Sequence, residues 1–487
     1  MSTLKFLPIH NYGIRKSQLG DGTYSTVDLH ICDGKEYAIK KMKAVSFHCA
    51  LNEVACLIKT RNERVISIID VNVSFNLDVT IIMENYGIDL HEYLCDIQLS
   101  EEIKFDLSVQ LLEAVNYIHH IEILHGDIKP QNILIKNDKL KLADFGVSKG
   151  LLFSGCEVKP PLLYSGCYRC PEIILRKDYT LSADIWATGC VIYKIYNDID
   201  LFNTDEETRL LYKQCKLLGT PIEYLEKIPK FMKNENFIFS SNRHIHYILE
   251  RMIVMDPKGR QNSFEILKYI KNNTVNIFEI VHDEVLLDKY FDYPTKHRFK
   301  SDNDYLNIMI NLISDTNIED KMYFLISYIY DFNINHLYNN YTFKYITEAC
   351  IYIAEAYVDV PFFSVSSYIK DICREILINM KFDLIKALSI DYLILEFKNK
   401  SYNKDFRETA ILFLKILSLS EEVFNYTPKQ LSIISINITE LYFNRESLYD
   451  SNLCTILNNN ILLFELYDKK YKSCFIDFIK WINKHNQ

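Results

Sequence analysis

The segment His125-Gly126-Asp127-Ile128-Lys129-Pro130-Gln131-Asn132 puts a carboxylate, an ammonium and an amide on one short stretch. Asp127 can orient a hydroxyl nucleophile and accept its proton. Lys129 can offset negative charge on a group in transfer. Asn132 offers an amide oxygen to a hard cation, and Asp144, twelve residues on in Asp144-Phe145-Gly146, offers a carboxylate to the same kind of ion. A positioned hydroxyl, a charged group in transfer and a divalent cation together describe phosphoryl transfer. Pro130 and the turn around it keep the first three groups on one loop.

Two upstream segments complete this set. Lys40, in Tyr37-Ala38-Ile39-Lys40, suits a cation held against α- and β-phosphates. It needs a carboxylate to fix it, and Glu53, in ALNEVACL, stands on the next helical stretch. LGDGTYSTV (19–27) reads as a glycine-rich turn in which Gly20 and Gly22 let backbone N–H groups approach phosphates without a Cβ in the way. Taken singly, these are a hairpin turn, a surface lysine and a surface glutamate. Their order and spacing ahead of the 125–146 segment favour the chemical reading.

The elements that must carry these groups change along the chain. Residues 9–100 read as short β-branched and aromatic runs around one helical stretch near Ser46–Thr60. From about 101 helical patterns dominate. The runs ILI (133–135) and LKLA (140–143), separated by Lys136-Asn137-Asp138, interrupt them as a hairpin. Residues 276–300, with Tyr293-Pro294-Thr295, read as a connection, and everything beyond is helical in pattern. There Ile346, Ala349, Cys350, Ile353 and Tyr357 fall on one helical face.

Composition bounds the alternatives. A chain of 487 residues holds two or three domains. Its net charge of −9 argues against a nucleic-acid binder held by phosphate contacts. The start, MSTLKFLPIH, lacks the pattern of a signal peptide, and no apolar run reaches the ~18 residues that span a bilayer. Thirteen cysteines without paired metal-type spacing read as reduced thiols of a cytoplasmic or nuclear protein. The bias toward Tyr, Phe, Asn, Ile and Lys suits an AT-rich coding genome, such as that of a large DNA virus whose product acts in a host cell.

Residues 9–275 resemble the eukaryotic protein kinases. The resemblance implies a bilobal α+β fold, with a β-rich N-lobe and a helical C-lobe, that uses ATP and Mg2+. Lys40 and Glu53 then correspond to the ion pair of the active state, Asp127 to the catalytic aspartate, and Asn132 and Asp144 to the metal ligands. Met83 falls at the gatekeeper and Glu84–Tyr86 at the adenine-binding hinge. Gly20, Gly22, Ser25 (in place of a third glycine), Val27, Ala38 and Asp89 complete the implied ATP site. Cys170-Pro171-Glu172 matches the end of the activation segment, with Arg260 as the buried partner of Glu172. Asp184-Ile185-Trp186 matches a helix supporting the catalytic loop. Lys129 marks serine/threonine specificity.

Within that family, GDGTY (20–24), SGCYRCPE (165–172) and LLGTP (217–221) resemble the cyclin-dependent kinases. Thr23 and Tyr24 correspond to their inhibitory phosphorylation positions, and FHCALNE (47–53) to the helix a cyclin grips. The three arginines that clamp an activation-segment phosphothreonine correspond to Asn52, Gly126 and Lys149, and the threonine itself to Pro160. A lone lysine cannot replace a bidentate, three-armed clamp. The resemblance with these departures implies activity independent of activation-loop phosphorylation. Arg169 matches an arginine favouring proline after the phosphoacceptor, although Tyr164 replaces a smaller residue nearby.

The second half resembles a cyclin. YLNIMINLI (305–313) aligns with the first helix of the first box, 345–394 with its third to fifth helices, most recognisably at EILINMKFDL (375–384), and 408–438 with the start of the second. The implied organisation is a kinase domain at 9–275, a linker at 276–300, box 1 at 301–394 and a degenerate box 2 at 395–487. The family's kinase-contacting lysine and glutamate correspond to Ala356 and Cys373, and its substrate-docking arginine to Leu306. The whole would be a kinase activated by its own all-α cyclin-like domain of two helical repeats. It would act on protein substrates, with Ser/Thr-Pro sites as candidates and a cell-cycle or a transcriptional role both left open, and with no nucleic acid or membrane partner. Two alternatives stay open: a pseudokinase scaffold whose helical half binds partners, and a kinase with an unrelated helical regulatory domain.

Overall fold

In the computed structural model the described residues are 4–22, 25–42, 47–96, 98–150, 166–225 and 228–273. In the second half they are 320–337, 340–358, 366–382, 402–419 and 426–443, with isolated positions besides. The 276–300 connection, Thr23, Tyr24, Pro160, Tyr164, Ser165 and Leu306 lie outside them. The chain divides into two compact units, Met1–Val73 with Asp78–His282, and Ser74–Leu77 with Asp283–Gln487.

The first unit opens with a five-stranded antiparallel sheet, β1 (Ile14–Asp21), β2 (Ser25–Cys32), β3 (Lys35–Met42), β4 (Ile68–Val73) and β5 (Val79–Glu84), in the order β1-β2-β3-β5-β4. Helix α1 (Phe47–Lys59) lies between β3 and β4 in sequence and matches the expected helical stretch. It buries ten of its thirteen residues, so it is an interior helix rather than an amphipathic cover. On the sheet, Tyr12, Ile39 and Ile82 form an apolar cluster joined by Leu7 and Ile9. The preceding segment is tied down by buried Asp70 of β4. It accepts from the N–H groups of Lys5 (2.8 Å), Phe6 (2.8 Å) and Leu7 (3.0 Å) and from the Tyr12 hydroxyl (2.5 Å). Burial opposes the Asp70 charge, but these donors outweigh it and lower its pKa.

After the short β6 (Ile88–Asp89), helices α2 (Leu90–Asp96) and α3 (Glu101–His120) begin the helical part. Ser100 caps α3 through the N–H of Ile103, and Glu101 and Glu102 fill its first turn, where the helix dipole favours acids. Three short strand elements then frame the loops of interest. They are β7 (Ile123–Leu124), the hairpin β8 (Ile133–Lys136) with β9 (Lys139–Leu142), and β10 (Lys149–Gly150), which pairs with β7. The hairpin was expected, and its two-residue turn puts Asn137 (φ 51°) and Asp138 (φ 58°) in the left-handed region that such turns require. Helices α4 (Pro171–Ile174), α5 (Ser182–Asn197), α6 (Glu207–Leu218), α7 (Arg243–Met252) and α8 (Ser263–Asn273) complete the unit. Helix α5 runs through its centre, with Trp186 fully buried and stacked on Phe202.

Beyond residue 283 the described elements of the second unit are all helices, α9 (Asp320–Leu337), α10 (Phe343–Val358), α11 (Ser367–Asn379), α12 (Lys404–Ser418) and α13 (Pro428–Phe443). Helix α9 packs on α10, α11 and α12, and α12 on α13. On α10 the expected face is buried at Ile346, Ala349, Cys350 and Ile353, while Tyr357 is half-buried. Tyr352, Ala354 and Ala356 are buried as well, because α10 is flanked by both α9 and α11. Ala356 and Cys373 are interior residues of this unit, and the Cys373 thiol contacts the Ala349 carbonyl at 3.7 Å. Among the described residues of the chain, no helix is long and apolar enough to cross a membrane.

Candidate active site

The strand ladder delivers Lys40. It lies opposite Val27 on β2 and Ile81 on β5, two positions along β3 from Ala38, which faces Met83. Its ammonium reaches Glu53 Oε1 of α1 at 2.7 Å and Asp144 Oδ1 at 2.7 Å. One cation therefore joins the sheet, the helix and the loop after β9. Burial would strip charge from Lys40 and Glu53, partial desolvation opposes the charge of the half-open Asp144, and their mutual attraction decides which keep it. Lys40 is raised, with the Asp144 and Glu53 charges outweighing desolvation. Asp144 is lowered to about 2, because Lys40 outweighs its burial. Glu53 is held above the usual carboxylate range by burial, which Lys40 only partly offsets and the Asp144 charge reinforces. Its second oxygen, Oε2, is buried without a hydrogen-bond partner.

The second group of side chains comes from the loop between β7 and β8. Lys129 Nζ lies 2.7 Å from Asp127 Oδ2. Asn132 donates from Nδ2 to the Asp127 carbonyl (2.8 Å) and to Asp127 Oδ2 (3.0 Å). Asp127 thus touches both of the other expected groups. The loop is pinned from below by buried Asp184 of α5, which accepts from His125 N (2.8 Å) and Gly126 N (2.9 Å). Gly126 adopts φ 82°, which costs a Cβ-bearing residue about 1–2 kcal/mol. A glycine at this position removes that cost.

The amide orientation of Asn132 leaves its oxygen on the side away from Asp127. The Asp144 carboxylate keeps 47% of its side-chain surface exposed, with Oδ1 on Lys40. These two hard oxygen donors fit Mg2+, which takes one or two protein carboxylates or amides and completes its shell with water and phosphate.

The remaining expected positions lie on β1 to β6 and the segments joining them. Gly20 sits inside β1 opposite Val27, and the Gly22 N–H binds the Ser25 carbonyl at 2.9 Å. The turn is therefore shorter than 19–27, and neither glycine needs the left-handed region. Among the described residues, a Cβ at Gly20 would meet nothing within 4 Å, and one at Gly22 only the Ser25 carbonyl at 3.6 Å, so both leave open space. Ala38 and Met83 are buried. Glu84 is held by the Ser67 N–H (2.8 Å) and by Lys141 Nζ (2.5 Å), whose charge also lies 4.9 Å from the Tyr86 ring centroid. Beside them Gly87 has φ 58°, and a Cβ there would stand 1.8 Å from the Ile135 carbonyl, so only glycine lets this segment approach β8. Asp89 is half-exposed and caps α2 through the Glu92 N–H at 2.9 Å.

Away from the loop, Arg260 meets Glu172 through two hydrogen bonds of 2.6 and 2.8 Å, both side chains buried, and its guanidinium lies over Trp186. The pairing expected from sequence is present. Arg169 binds Glu207 at 2.6 Å, and Arg176 binds the same carboxylate. Sequence reasoning missed Lys141 and Ser148, which donates to the His125 carbonyl at 2.8 Å. Neither carries a local signal, since the partner of each comes from a distant segment.

Residues 14–270, over half of the chain, match the protein kinase domain. The chain belongs to the protein kinase family. Among relatives of this kinase, the cyclin-dependent kinase 4 homolog of Caenorhabditis elegans is 33% identical over 224 residues, covering 42% of this chain and 54% of the relative. Cyclin-dependent kinase F-3 of Oryza sativa subsp. japonica is 32% identical over 216 residues, 42% and 48% of the two chains. The serine/threonine-protein kinase ICK of Mus musculus is 29% identical over 281 residues, 52% and 43% of the two chains. The chain spans about half the length of these relatives.

Proposed function

We propose that this kinase transfers phosphate from ATP to serine or threonine of protein substrates, is of cyclin-dependent type, and is activated in cis by its helical half. The observation that carries the reading is the joint presence of the Lys40–Glu53–Asp144 ion cluster and the Asp127–Lys129–Asn132 cluster in one unit. Lys40 would anchor the α- and β-phosphates, with Glu53 fixing its position. Asn132 and Asp144 would hold Mg2+, which when bound offsets charge on the nucleotide phosphates. Asp127 would orient the substrate hydroxyl and take its proton, and Lys129 would steady the transferring group. Gly20, Gly22, Ser25, Val27, Ala38, Met83, Glu84, Tyr86 and Asp89 would surround the nucleotide.

The names of two relatives support the cyclin-dependent type. Two features support independence from an outside activator. The Lys40–Glu53 pair is formed, and α1 is buried almost all round, within this chain alone. The positions of a phosphate clamp hold Asn52, Gly126 and Lys149, which supports activity without activation-loop phosphorylation. The division of the helical half into two cyclin boxes belongs to the same proposal.

The deciding experiment is an assay of the purified full-length chain with ATP, Mg2+ and Ser-Pro peptides, with no cyclin added and before and after phosphatase treatment. Phosphopeptide should form at equal rates in both arms. A large loss after phosphatase would remove the phosphorylation-independent reading. No transfer to any Ser or Thr peptide would leave the scaffold reading in its place.

A further inference from the structure

The backbone entering Asp127 is gripped from two sides. Asp184 holds the N–H groups of His125 and Gly126 from the α5 side. On the other side stands Ser148, whose side chain is fully buried. Its Oγ donates to the His125 carbonyl at 2.8 Å, and its N–H donates to the Phe145 carbonyl at 3.1 Å. The next two residues, Lys149 and Gly150, pair with Leu124 and Ile123, and the Phe145 and His125 rings lie 4.8 Å apart.

A ladder, a ring contact and a hydroxyl thus join the chain after Asp144 to the chain before Asp127. The ladder is made by backbone, and the ring contact by Phe145 and His125. The hydroxyl is the only one of the three that depends on the identity of residue 148. Buried serines commonly bond a carbonyl three or four positions back, as Ser108 does with Lys104. Ser148 instead bonds a carbonyl 23 positions away in sequence.

We propose that Ser148 is a positioning residue whose hydroxyl locks the start of the activation segment onto the catalytic loop, without any phosphate. The inference rests on the kinase reading and deepens it. It names what holds the loop in a chain with Asn52, Gly126 and Lys149 at the clamp positions. Ser148 acts through the His125 backbone on the placement of Asp127 and touches no reacting atom.

The test compares full-length wild type with Ser148→Ala and Ser148→Thr in steady-state assays and thermal melts. Ser148→Ala should lower kcat about tenfold with KM for ATP changed less than about twofold, and Ser148→Thr should recover most of kcat. A lowered melting temperature with kcat intact in Ser148→Ala would make the hydroxyl merely structural and overturn the proposal. Should Ser148→Ala fail to fold, hydrogen exchange on the wild type decides. The amides of 123–125 and 149–150 should be protected together, and fast exchange at 149–150 beside protected 123–125 would overturn the lock. An inactive wild type removes the kinase reading itself, whereas an active wild type matched by Ser148→Ala removes only this inference.

Discussion

Among the described residues, buried charge is concentrated in the kinase unit and is rare in the helical one. In the kinase unit the buried charges Lys40, Glu53, Asp184, Glu172 and Arg260 find partners on other elements, from 13 residues away for Lys40 and Glu53 to 88 for Glu172 and Arg260. In the helical unit the buried hydroxyls of Ser418, Ser432 and Thr439 mostly bond carbonyls of their own helix three or four residues back. The exceptions there are single staples, such as Ser435 to Ala410 and Lys415 to Asp320 at 2.6 Å. Charges held at a distance define positions in space to within a bond length. Hydroxyls folded onto their own helix define only that the helix is buried.

If that contrast is right, Asp127→Asn should lower phosphoryl transfer to a Ser-Pro peptide by about 10²–10⁴-fold while leaving the circular dichroism spectrum unchanged. An active Asp127→Asn would break the comparison at its chemical end.

Next in size, Glu172→Ala should destabilise the kinase unit by about 3–5 kcal/mol in denaturant melts, because it strands a buried guanidinium. The pair also predicts a pH dependence. Burial raises the Glu172 pKa, Arg260 outweighs it, and the folded value falls below the unfolded 4.5. Its stabilisation is therefore complete above about pH 4.5 and lost as pH falls through the folded value. Glu172→Gln should flatten the acid limb of the stability curve. An unchanged limb would show the pair to be silent.

Cutting the chain after His282 probes whether the units act together. The kinase half should lose about tenfold or more of the full-length activity, and micromolar helical half added in trans should restore it only partly, since a tether supplies an effective concentration of order mM. Full activity in a half that melts normally would end activation in cis.

Gly126→Ala should cost about 1–2 kcal/mol through its left-handed backbone. Smallest of all, Lys415→Met should change the stability of the helical unit by about 1 kcal/mol or less, because Asp320 is partly open to water and stays solvated when its partner is gone. A large loss there would mean that the helical unit also rests on its charges.

The same contrast explains what was legible in the sequence. Asp127, Lys129, Asn132, Asp144, Lys40 and Glu53 were readable because residue type and spacing together constrain the chemistry, and the structure joins them as two clusters, Lys40 with Glu53 and Asp144, and Asp127 with Lys129 and Asn132. The Glu172–Arg260 pair followed from the resemblance. The helical face at 346–353 was readable from periodicity, but the wider burial of α10 was not, because a second flanking helix leaves no mark on a 3.6-residue repeat. For the same reason periodicity gave no way to tell a cyclin from another helical bundle. Ser148, Lys141 and Asp70 were missed because nothing in their own neighbourhood announces a partner dozens of residues away.

The Asp70 clip bears on where this kinase domain ends. The family match begins at residue 14, yet the carboxylate that anchors the edge of the sheet takes its donors from Lys5, Phe6, Leu7 and Tyr12. A chain trimmed to the homologous boundary would strip Asp70 of these four donors and, with Tyr12 gone, uncover Ile39 and Ile82. Homology draws the border at residue 14, whereas the hydrogen bonds draw it at residue 5.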